Sequence, residues 1–336
     1  KALDKDVTIY QIAASGSEDD TISNLLSRYK DESKHIKVEV KDPVVNPKFA
    51  SEYTTDDLAS NSLIVVCGDR NKVINYKDMY SSSVDYNTWQ QTTTGFDGEG
   101  QITSAIGYVT SKDLPIMYAL SGHGEKDLDS SFKEDIQKAN IDIKELNLLT
   151  EGKVPDDADC LMIVSPTSDI SEEEKNMLED YFDNGGKLLV MAGPVESGDL
   201  TNLYSLLSDY GVKSDNGVVV DTDHDHYAFQ APYILMPTIE SSDITDPLLD
   251  ESYYAIVPIA RGLEVGNTDK DVNVTSLLTT SDEAYSKAAG YNLTTYDKED
   301  GDTDGPFALG VDITQGEKDG QMIWYASSYL VDDTYN

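Results

Sequence analysis

Basic residues and cysteines are scarce in this chain of 336 residues. It carries 25 Lys and Arg against 63 Asp and Glu, so its formal net charge is −38. A field of that sign repels phosphate backbones and anionic lipid head groups, which excludes nucleic-acid binding and a polybasic membrane anchor. The cysteines Cys67 and Cys160 lie in the apolar runs LIVVCG and CLMIVS without CxxC or metal-ligand spacing. Each is therefore interpreted as a small core side chain.

Long apolar runs and cofactor motifs are also missing. No stretch approaches the roughly 18 residues that a membrane-spanning helix requires, and residues 1–6 lack a secretory hydrophobic region. No segment matches the phosphate-binding patterns G-x-x-x-x-G-K-[ST] or G-x-G-x-x-G after a strand, so we expect no cofactor. The 39% hydrophobic share, with 21 Tyr, is enough for folded cores. At roughly 150 residues per domain, the length predicts two domains.

Residues 1–112 are predicted to form the first domain. VTIYQI (7–12) is rich in strand formers, and a helical pattern and an alternating strand follow it. LIVVCG (63–68) and KVINYK (72–77) flank a short turn, as in a hairpin, and residues 101–110 have helical spacing. The order β-α-β-(α)-β-β-α matches a thioredoxin-like domain. Because the thioredoxin CxxC is missing, we expect no redox function.

Residues 113–336 are predicted to form an α/β domain with a doubly wound parallel sheet. The capping box Ser171-x-x-Glu174 begins one helix, and GQMIWYASS (320–328) is expected to return a late strand to the sheet. Strands alternate with helical patterns, which indicates helices on both faces of the sheet. The predicted strands before residue 222 are four apolar runs at 114–120, 160–165, 187–193 and 217–221.

The clearest candidate site follows the first strand of this second domain. There Ser121, His123 and Glu125 alternate with two glycines, which permit a tight turn and close approach of a ligand. Ligands of open α/β sheets bind at the carboxyl ends of strands, and imidazole and carboxylate groups donate, accept or transfer protons. A structural loop, a ligand or partner contact, and catalysis are all compatible with this pattern. No catalytic residue is assigned, because the sequence lacks the first glycine of a G-x-S-x-G nucleophile elbow.

Two acidic segments are weak candidates for metal binding. The first is the run after the fourth predicted strand, whose candidate ligands are Asp221, Asp223, His224, Asp225 and His226. Zn²⁺ or Mn²⁺ suits such donors, but in an extended loop the carboxylates face away from the imidazoles. The alternative is a solvated loop.

The second acidic segment matches only half of a calcium-binding loop. Asp300, Asp302 and Asp304 fit the D-x-D-x-D-G beginning of an EF-hand, but Val311 stands where the bidentate Glu belongs. The alternative is an acidic turn exposed to solvent, and no metal is assigned to either segment. More generally, the acidic residues are expected in loops and on solvent faces.

Four ordered segments together resemble the auxiliary component of ABC transport systems associated with gliding motility. The family has an extracytoplasmic domain similar to intraflagellar-transport protein 52. Its second domain is similar to class I glutamine amidotransferase (flavodoxin-like) or ThuA-like folds. In the amidotransferases a Cys nucleophile occupies a strand-to-helix elbow, and the comparable turn here, 191–194, carries none. The resembling segments are 25–47, 98–111, 116–125 and 183–194.

The resemblance implies a non-catalytic extracytoplasmic module of an ABC transport system, which recognises substrate or assembles the complex. Its implied partners are the permease and ATPase subunits and a small-molecule or glycan ligand, and membrane helices outside this sequence would anchor it. One alternative is a ThuA-like or amidotransferase-like hydrolase that uses His123, Glu125 or the 221–226 segment. Another, suggested by the many Tyr, is a carbohydrate-binding surface protein.

Overall fold

The computed structural model describes residues 3–55, 57–85, 90–316 and 318–335, which separate into two units of mixed α/β structure. The first unit extends to Leu114 and also includes Asp135–Ile141. The second contains Pro115–Glu134 and the chain from Asp142 onward. Within the described ranges, no helix has the length and apolar character needed to cross a membrane.

The first unit contains six strands and two helices of thirteen residues each. Helix α1 begins where the Asp19 carboxylate accepts hydrogen bonds from the backbone N–H groups of Thr21 and Ile22. The elements are β1 (Val7–Ile12), α1 (Asp20–Glu32), β2 (Ile36–Lys41), β3 (Leu63–Cys67), β4 (Arg70–Ile74), β5 (Tyr80–Asp85), β6 (Gln90–Phe96) and α2 (Gly98–Thr110).

Four of these strands form one sheet in the order β2-β1-β3-β4. Strands β1 and β2 are parallel, whereas β3 is antiparallel to both β1 and β4. The predicted hairpin at LIVVCG is thereby confirmed. Strands β5 and β6 form a separate antiparallel pair that we did not predict. Ile22 and Leu26 of α1 and Ile102 and Ala105 of α2 are buried in this unit's core.

The second unit is larger and carries the candidate site. Its helix α3 lies partly in the first unit, because Asp135–Ile141 belong there. The elements are β7 (Ile116–Leu120), α3 (Ser130–Lys138), β8 (Asp142–Leu146), α4 (Leu148–Glu151), β9 (Cys160–Val164), α5 (Glu172–Asp183), β10 (Lys187–Met191), α6 (Thr201–Asp209), β11 (Val212–Ser214), β12 (Val218–Asp221), β13 (Ile234–Leu235), β14 (Thr238–Ile239), α7 (Asp246–Asp250), β15 (Val257–Pro258), β16 (Leu263–Val265), β17 (Val272–Thr279), β18 (Ala284–Lys287), β19 (Thr303–Asp304), β20 (Ala308–Gln315) and β21 (Gln321–Tyr325).

Five parallel strands form one side of the main sheet in the order β8-β7-β9-β10-β21, with β8 at the edge. Strand β21 lies beside β10 with Leu189 opposite Ile323, which confirms the predicted late return to this sheet. Strand β20 continues the sheet antiparallel to β21. The chain leaves β7 for β8 on one side and later reaches β9 on the other. Such a reversal opens a crevice at the carboxyl ends of β7 and β9.

The fourth strand predicted at 217–221 is present, but its predicted place in the parallel sheet is wrong. Val218–Asp221 form β12, which pairs antiparallel with β18 in a separate sheet of order β12-β18-β19. All three valines of β12 are buried. A run of buried valines indicates a strand covered on both faces, but it does not specify which sheet the strand joins. The sequence pattern was therefore correct about the strand and wrong about its neighbours.

Candidate functional site

The segment after β7 turns through two glycines with positive φ, Gly122 at +120° and Gly124 at +74°. A Cβ atom at Gly122 would lie 2.6 Å from Nδ2 of Asn147, and one at Gly124 would overlap Oγ1 of Thr167. Both positions therefore require glycine for backbone conformation and for space. The N–H of Ser121 donates to the carbonyl of Leu146, which ties the start of the turn to β8.

His123 lies between two glutamates. Its Nε2 is 3.1 Å from Oε2 of Glu174, and its Nδ1 is 3.4 Å from Oε1 of Glu125. The backbone N–H of His123 also donates to Oε2 of Glu125 at 2.7 Å. The side chains of His123 and Glu125 are each 7% exposed and that of Glu174 is 1% exposed. The predicted pair His123 and Glu125 thus meets in a buried cluster with a third residue.

Glu174 reaches this cluster because it is also part of the capping box of α5. Its Oε2 accepts hydrogen bonds from the backbone N–H and the hydroxyl of Ser171, each at 2.9 Å. The sequence predicted the capping box, and the structure confirms it. The sequence does not show that the Glu174 carboxylate also contacts His123, because the spacing of neighbouring residues carries no information about contacts between distant segments. Three buried atoms of the cluster have no hydrogen-bond partner: Nδ1 of His123, Oε1 of Glu125 and Oε1 of Glu174.

The loop after β9 holds the loop after β7 in place. The carbonyl oxygen of His123 accepts hydrogen bonds from the N–H of Thr167 at 3.0 Å and from the N–H and hydroxyl of Ser168 at 2.9 and 3.0 Å. Together with the contact to Glu174, these bonds restrain both the main chain and the imidazole of His123. The histidine is therefore rigidly positioned at the crevice between β7 and β9.

Two cavities flank this loop at the carboxyl edge of the sheet. One, of about 690 Å³, is lined by Ser121 and Glu125 and by three lysines, Lys126, Lys133 and Lys144. The other, of about 510 Å³, lies at the loops after β9, β10 and β21. Its lining is mostly apolar or hydroxyl-bearing and includes Ser165, Pro166, Val195, Tyr291, Ser328 and Tyr329. The candidate loop borders both cavities, because Gly124 and Lys126 line each of them.

Ser165 is a residue of this edge that the sequence did not indicate. It directly follows β9 and has φ +52°, a conformation that non-glycine residues rarely adopt. Its hydroxyl donates to the carbonyl oxygen of Ser328 at 2.6 Å. The turn expected to correspond to the amidotransferase elbow is the next one, where the N–H of Gly193 donates to the Ser328 hydroxyl at 2.9 Å. In the sequence, the pattern that could have pointed to Ser165 is a Ser-Pro pair directly after a buried strand.

The first acidic segment, 221–226, forms a turn rather than an extended loop. The expectation that its carboxylates and imidazoles point in opposite directions is therefore wrong for one pair, Asp223 and His226. The N–H of His226 donates to the carbonyl of Asp223, and Nδ1 of His226 lies 3.2 Å from Oδ2 of Asp223. Asp221 is buried and accepts from the hydroxyl and N–H of Ser281. His224 contacts the hydroxyl of Tyr227, and Asp225 is exposed.

The second acidic segment contains a buried ion pair, which corrects the expectation of a fully solvated turn. Asp302 is 2% exposed and lies 2.7 Å from Nζ of Lys287, which is fully buried. Asp300 is exposed, and Asp304 pairs with Lys298 at the surface. Across the part of the chain that the structure describes, no three or more His, Cys, Asp or Glu side chains are arranged to hold a metal ion.

The expectation that acidic residues lie on solvent faces is accordingly wrong for Glu174, Asp221 and Asp302, as it is for Glu125 described above. Each of the first three side chains is buried and has a specific partner, namely Ser171 and His123, Ser281, and Lys287. Burial of a carboxylate is tolerated where hydrogen bonds or an opposite charge replace water. Neither the amino-acid composition nor the hydropathy of a segment shows whether a carboxylate has such hydrogen bonds or such a charged partner.

The fold and this edge of the sheet define an α/β protein with cavities at the carboxyl ends of its parallel strands. Comparison with known proteins then gives the family. Residues 103–335 match the model of an auxiliary family described as "ABC-type uncharacterized transport system", and the chain belongs to that family. The predicted resemblance to auxiliary components of ABC transport systems is confirmed to that extent. The association with gliding motility stays a prediction.

Several solved structures are similar to this chain. The mmIFT52 N-terminal domain is 15% identical with a TM-score of 0.47, over 65% of this chain and 89% of that one. A glutamine amidotransferase from Thermotoga maritima is 8% identical with a TM-score of 0.34, over 64% and 75%. A thua-like protein from Parabacteroides merdae is 9% identical with a TM-score of 0.32, over 64% and 79%. No curated protein matches the sequence significantly.

Proposed function

We propose that this chain is a non-catalytic extracytoplasmic module of an ABC-type transport system, which recognises substrate or assembles the complex. Its partners in this proposal are the permease and ATPase subunits, and membrane helices outside this sequence anchor it. Membership of the auxiliary transport family over residues 103–335 is the observation that carries the proposal. The net charge of −38 is in keeping with a module held beside anionic lipids without adhering to them.

The partners of the two most reactive groups at the sheet edge support a non-catalytic role. The imidazole of His123 is held by Glu174, and the hydroxyl of Ser165 donates to a main-chain carbonyl. Nucleophilic catalysis by serine requires its hydroxyl to donate to a general base. In the observed arrangement the histidine positions a loop, and the serine fastens the segment that follows β21.

We infer that the ligand or partner contacts of the site are made by Ser121 and Glu125, which line the cavity of about 690 Å³. His123 acts as a positioning residue, because its backbone N–H and its ring both face the Glu125 carboxylate. A small polar molecule or a glycan fits a cavity with hydroxyl, ammonium and carboxylate groups on its walls.

We also infer a thioredoxin-like topology for the first unit and a flavodoxin-like, amidotransferase-like topology for the second. The order β2-β1-β3-β4, with one parallel and two antiparallel neighbours, supports the first inference. In the second unit, the five parallel strands run spatially as second, first, third, fourth and fifth in chain order. That order is the one found in flavodoxin-like sheets.

A hydrolase is the alternative, and the backbone of Ser165 is the observation that favours it. Its positive φ at a turn between a strand and a helix is the geometry that nucleophile elbows share. In that case the hydroxyl must exchange its bond to the Ser328 carbonyl for one to a base when substrate binds. Ser165→Ala would then abolish hydrolysis of amide or ester substrates without unfolding the protein.

The decisive experiment is affinity purification of the complete, tagged protein from detergent-solubilised membranes of its native host. We expect a permease and an ATPase subunit, identified by sequence, to copurify in stable ratio. Protease added to intact cells should cleave the module if it is extracytoplasmic. Recovery of folded protein without either subunit would overturn the transport proposal. Hydrolytic turnover that is lost in Ser165→Ala would establish the alternative.

A further inference from the structure

The cavity of about 510 Å³ at the loops after β9, β10 and β21 is open to solvent. Four residues of its lining are exposed, namely Gly124, Thr167, Glu196 and Ser197. Small-molecule sites have volumes of about 300–1,000 Å³, and in open α/β sheets they lie at this edge. Ser165 borders the cavity with φ +52°, and backbone strain of this kind is found mainly at functional sites. A small molecule can therefore enter the cavity without displacing the chain.

Two tyrosine rings line this cavity, those of Tyr291 and Tyr329, and both residues are half-buried. The hydroxyl of Tyr291 donates to the carbonyl of Pro194 at 3.3 Å and contacts Tyr329. The ring of Tyr335 packs on that of Tyr329 with centroids 6.1 Å apart, and the adjacent Leu330 packs against the buried core. Both rings are therefore held in place before a ligand binds.

The charged groups at the cavity have a net negative charge. Glu196 forms no ion pair within the described ranges, and it lies near Tyr291: burial is the main cause of the raised pKa of Tyr291, and the Glu196 carboxylate adds to it. Lys126 also lines the cavity, but its Nζ lies 2.8 Å from Oδ2 of Asp332 and 3.1 Å from Oδ2 of Asp129. Two carboxylates thus offset the one ammonium group, and the charge of Glu196 is left uncompensated.

We propose that this cavity binds a small organic cation of the quaternary-ammonium type, whose charged end contacts Tyr291, Tyr329 and Glu196. Aromatic rings attract cations through the negative potential of their faces, and the net charge of −38 raises the local concentration of cations. A quaternary ammonium group carries its charge on methyl groups and donates no hydrogen bond, so it suits walls of tyrosine, proline and valine. The site is separate from the ligand contacts assigned to Ser121 and Glu125.

Other classes of ligand fit this cavity less well. An anion is repelled by Glu196 and by the charge of the whole chain. A sugar needs hydroxyl and amide partners, but the hydroxyls of Ser165, Thr167 and Tyr291 already donate to main-chain carbonyls. The cavity of about 690 Å³ has the opposite character, because three lysines line it and none of the described residues on its walls is aromatic. The two cavities therefore suit different ligands.

The test compares choline with its neutral isostere, in which a quaternary carbon replaces the nitrogen, by NMR titration at constant ionic strength. We expect choline to bind saturably and the isostere to bind at least about tenfold more weakly, because only choline is attracted by the rings and the carboxylate. Tyr291→Leu should weaken choline binding on the order of tenfold. Glu196→Gln should weaken it about threefold, since an exposed charge contributes less. Circular dichroism checks that both variants are folded.

Two matched controls lie in the same unit and should leave choline binding unchanged. Glu264→Gln removes an exposed carboxylate that lines a different cavity, and Tyr253→Leu removes an exposed ring. Equal losses in Glu264→Gln and Glu196→Gln would show general attraction to an acidic surface and overturn the site. Equal affinities for choline and its isostere, tighter binding of glucose than of choline, or no saturable binding of choline would also overturn it. None of these measurements depends on assembly with a transporter.

Discussion

Nε2 of His123 lies 3.1 Å from Oε2 of Glu174, and this contact joins the loop after β7 to the first turn of α5. The same oxygen accepts two hydrogen bonds from Ser171, so one carboxylate both caps a helix and orients the histidine. The loop that borders both cavities is consequently anchored to a regular element as well as to the loop after β9. Support of this kind fixes the rotamer of the histidine and the course of the loop.

His123→Ala should lower the free energy of unfolding of the second unit by about 3 kcal/mol, because it leaves two buried carboxylates without their shared partner. Denaturant unfolding followed by circular dichroism measures the change. His35→Ala is the control, since His35 pairs with the exposed Asp6 and should cost under about 1 kcal/mol. A similarly small loss for His123→Ala would mean that the cluster does not depend on the imidazole.

The buried pair of Lys287 and Asp302 provides a second prediction. Asp302→Ala should destabilise the protein by about 2 kcal/mol, because Lys287 stays buried with only Glu299 and the carbonyl of Asp297 as partners. Asp304→Ala, in the same segment, removes an exposed partner of Lys298 and should cost under about 1 kcal/mol. Equal effects of the two substitutions, measured by thermal unfolding, would refute a special role for the buried pair.

The pKa of Asp302 extends this prediction to pH. Burial alone would raise the pKa of Asp302, but hydrogen bonds from Lys287, Glu299 and Ala288 and the charge of Lys287 together hold it below its ordinary value. A carboxyl group with a lowered pKa stabilises the fold above its unfolded-state pKa, and this stabilisation is lost as the pH falls. Acid should therefore destabilise the wild-type protein more than Asp302→Ala.

The features that depend on neighbouring residues, such as a helix cap, a strand or a glycine turn, could be predicted from local patterns in the sequence. The S-x-x-E spacing identified the cap at Ser171, and the run at 320–328 identified a strand of the main sheet. Both follow from hydrogen-bonding and burial patterns that repeat within a few residues. The loop from Gly122 to Glu125 was found for the same reason, since glycines mark its turns.

The remaining features arise from contacts between distant segments. Asp302 lies fifteen positions after Lys287, and nothing in the sequence between them shows that the Asp302 carboxylate is buried while its acidic neighbours are not. Val218–Asp221 form a strand as predicted, but their pairing with β18 depends on a segment more than sixty residues later. Ser165 was missed because its positive φ is imposed by the surrounding structure rather than by its residue type.

Gly124→Ala should destabilise the loop after β7 by about 2 kcal/mol, through backbone strain and overlap with Thr167. Gly152→Ala in the same unit is the matched control, since Gly152 also has positive φ but no neighbouring atom within 4 Å of an added Cβ. The difference between the two substitutions isolates the steric contribution. If both cost the same in thermal unfolding, Thr167 moves aside and the close contact carries no free energy.

The ion pair between Lys126 and Asp332 predicts a loss of stability in acid. Hydrogen bonds from Lys126 and from the side chain and backbone of Thr334 together lower the pKa of Asp332 to about 2, below the ordinary value of 3.8. The contact therefore stabilises the fold fully above about pH 4 and loses this contribution as the pH falls toward 2. Because the ion pair lies at the surface, its contribution is about 1 kcal/mol. Asp332→Asn should lower stability at pH 7 by that amount and converge with the wild type only below about pH 2, as measured by urea unfolding at each pH. Parallel curves over the whole range would show that Asp332 titrates alike in the folded and unfolded chains and that Lys126 does not hold it.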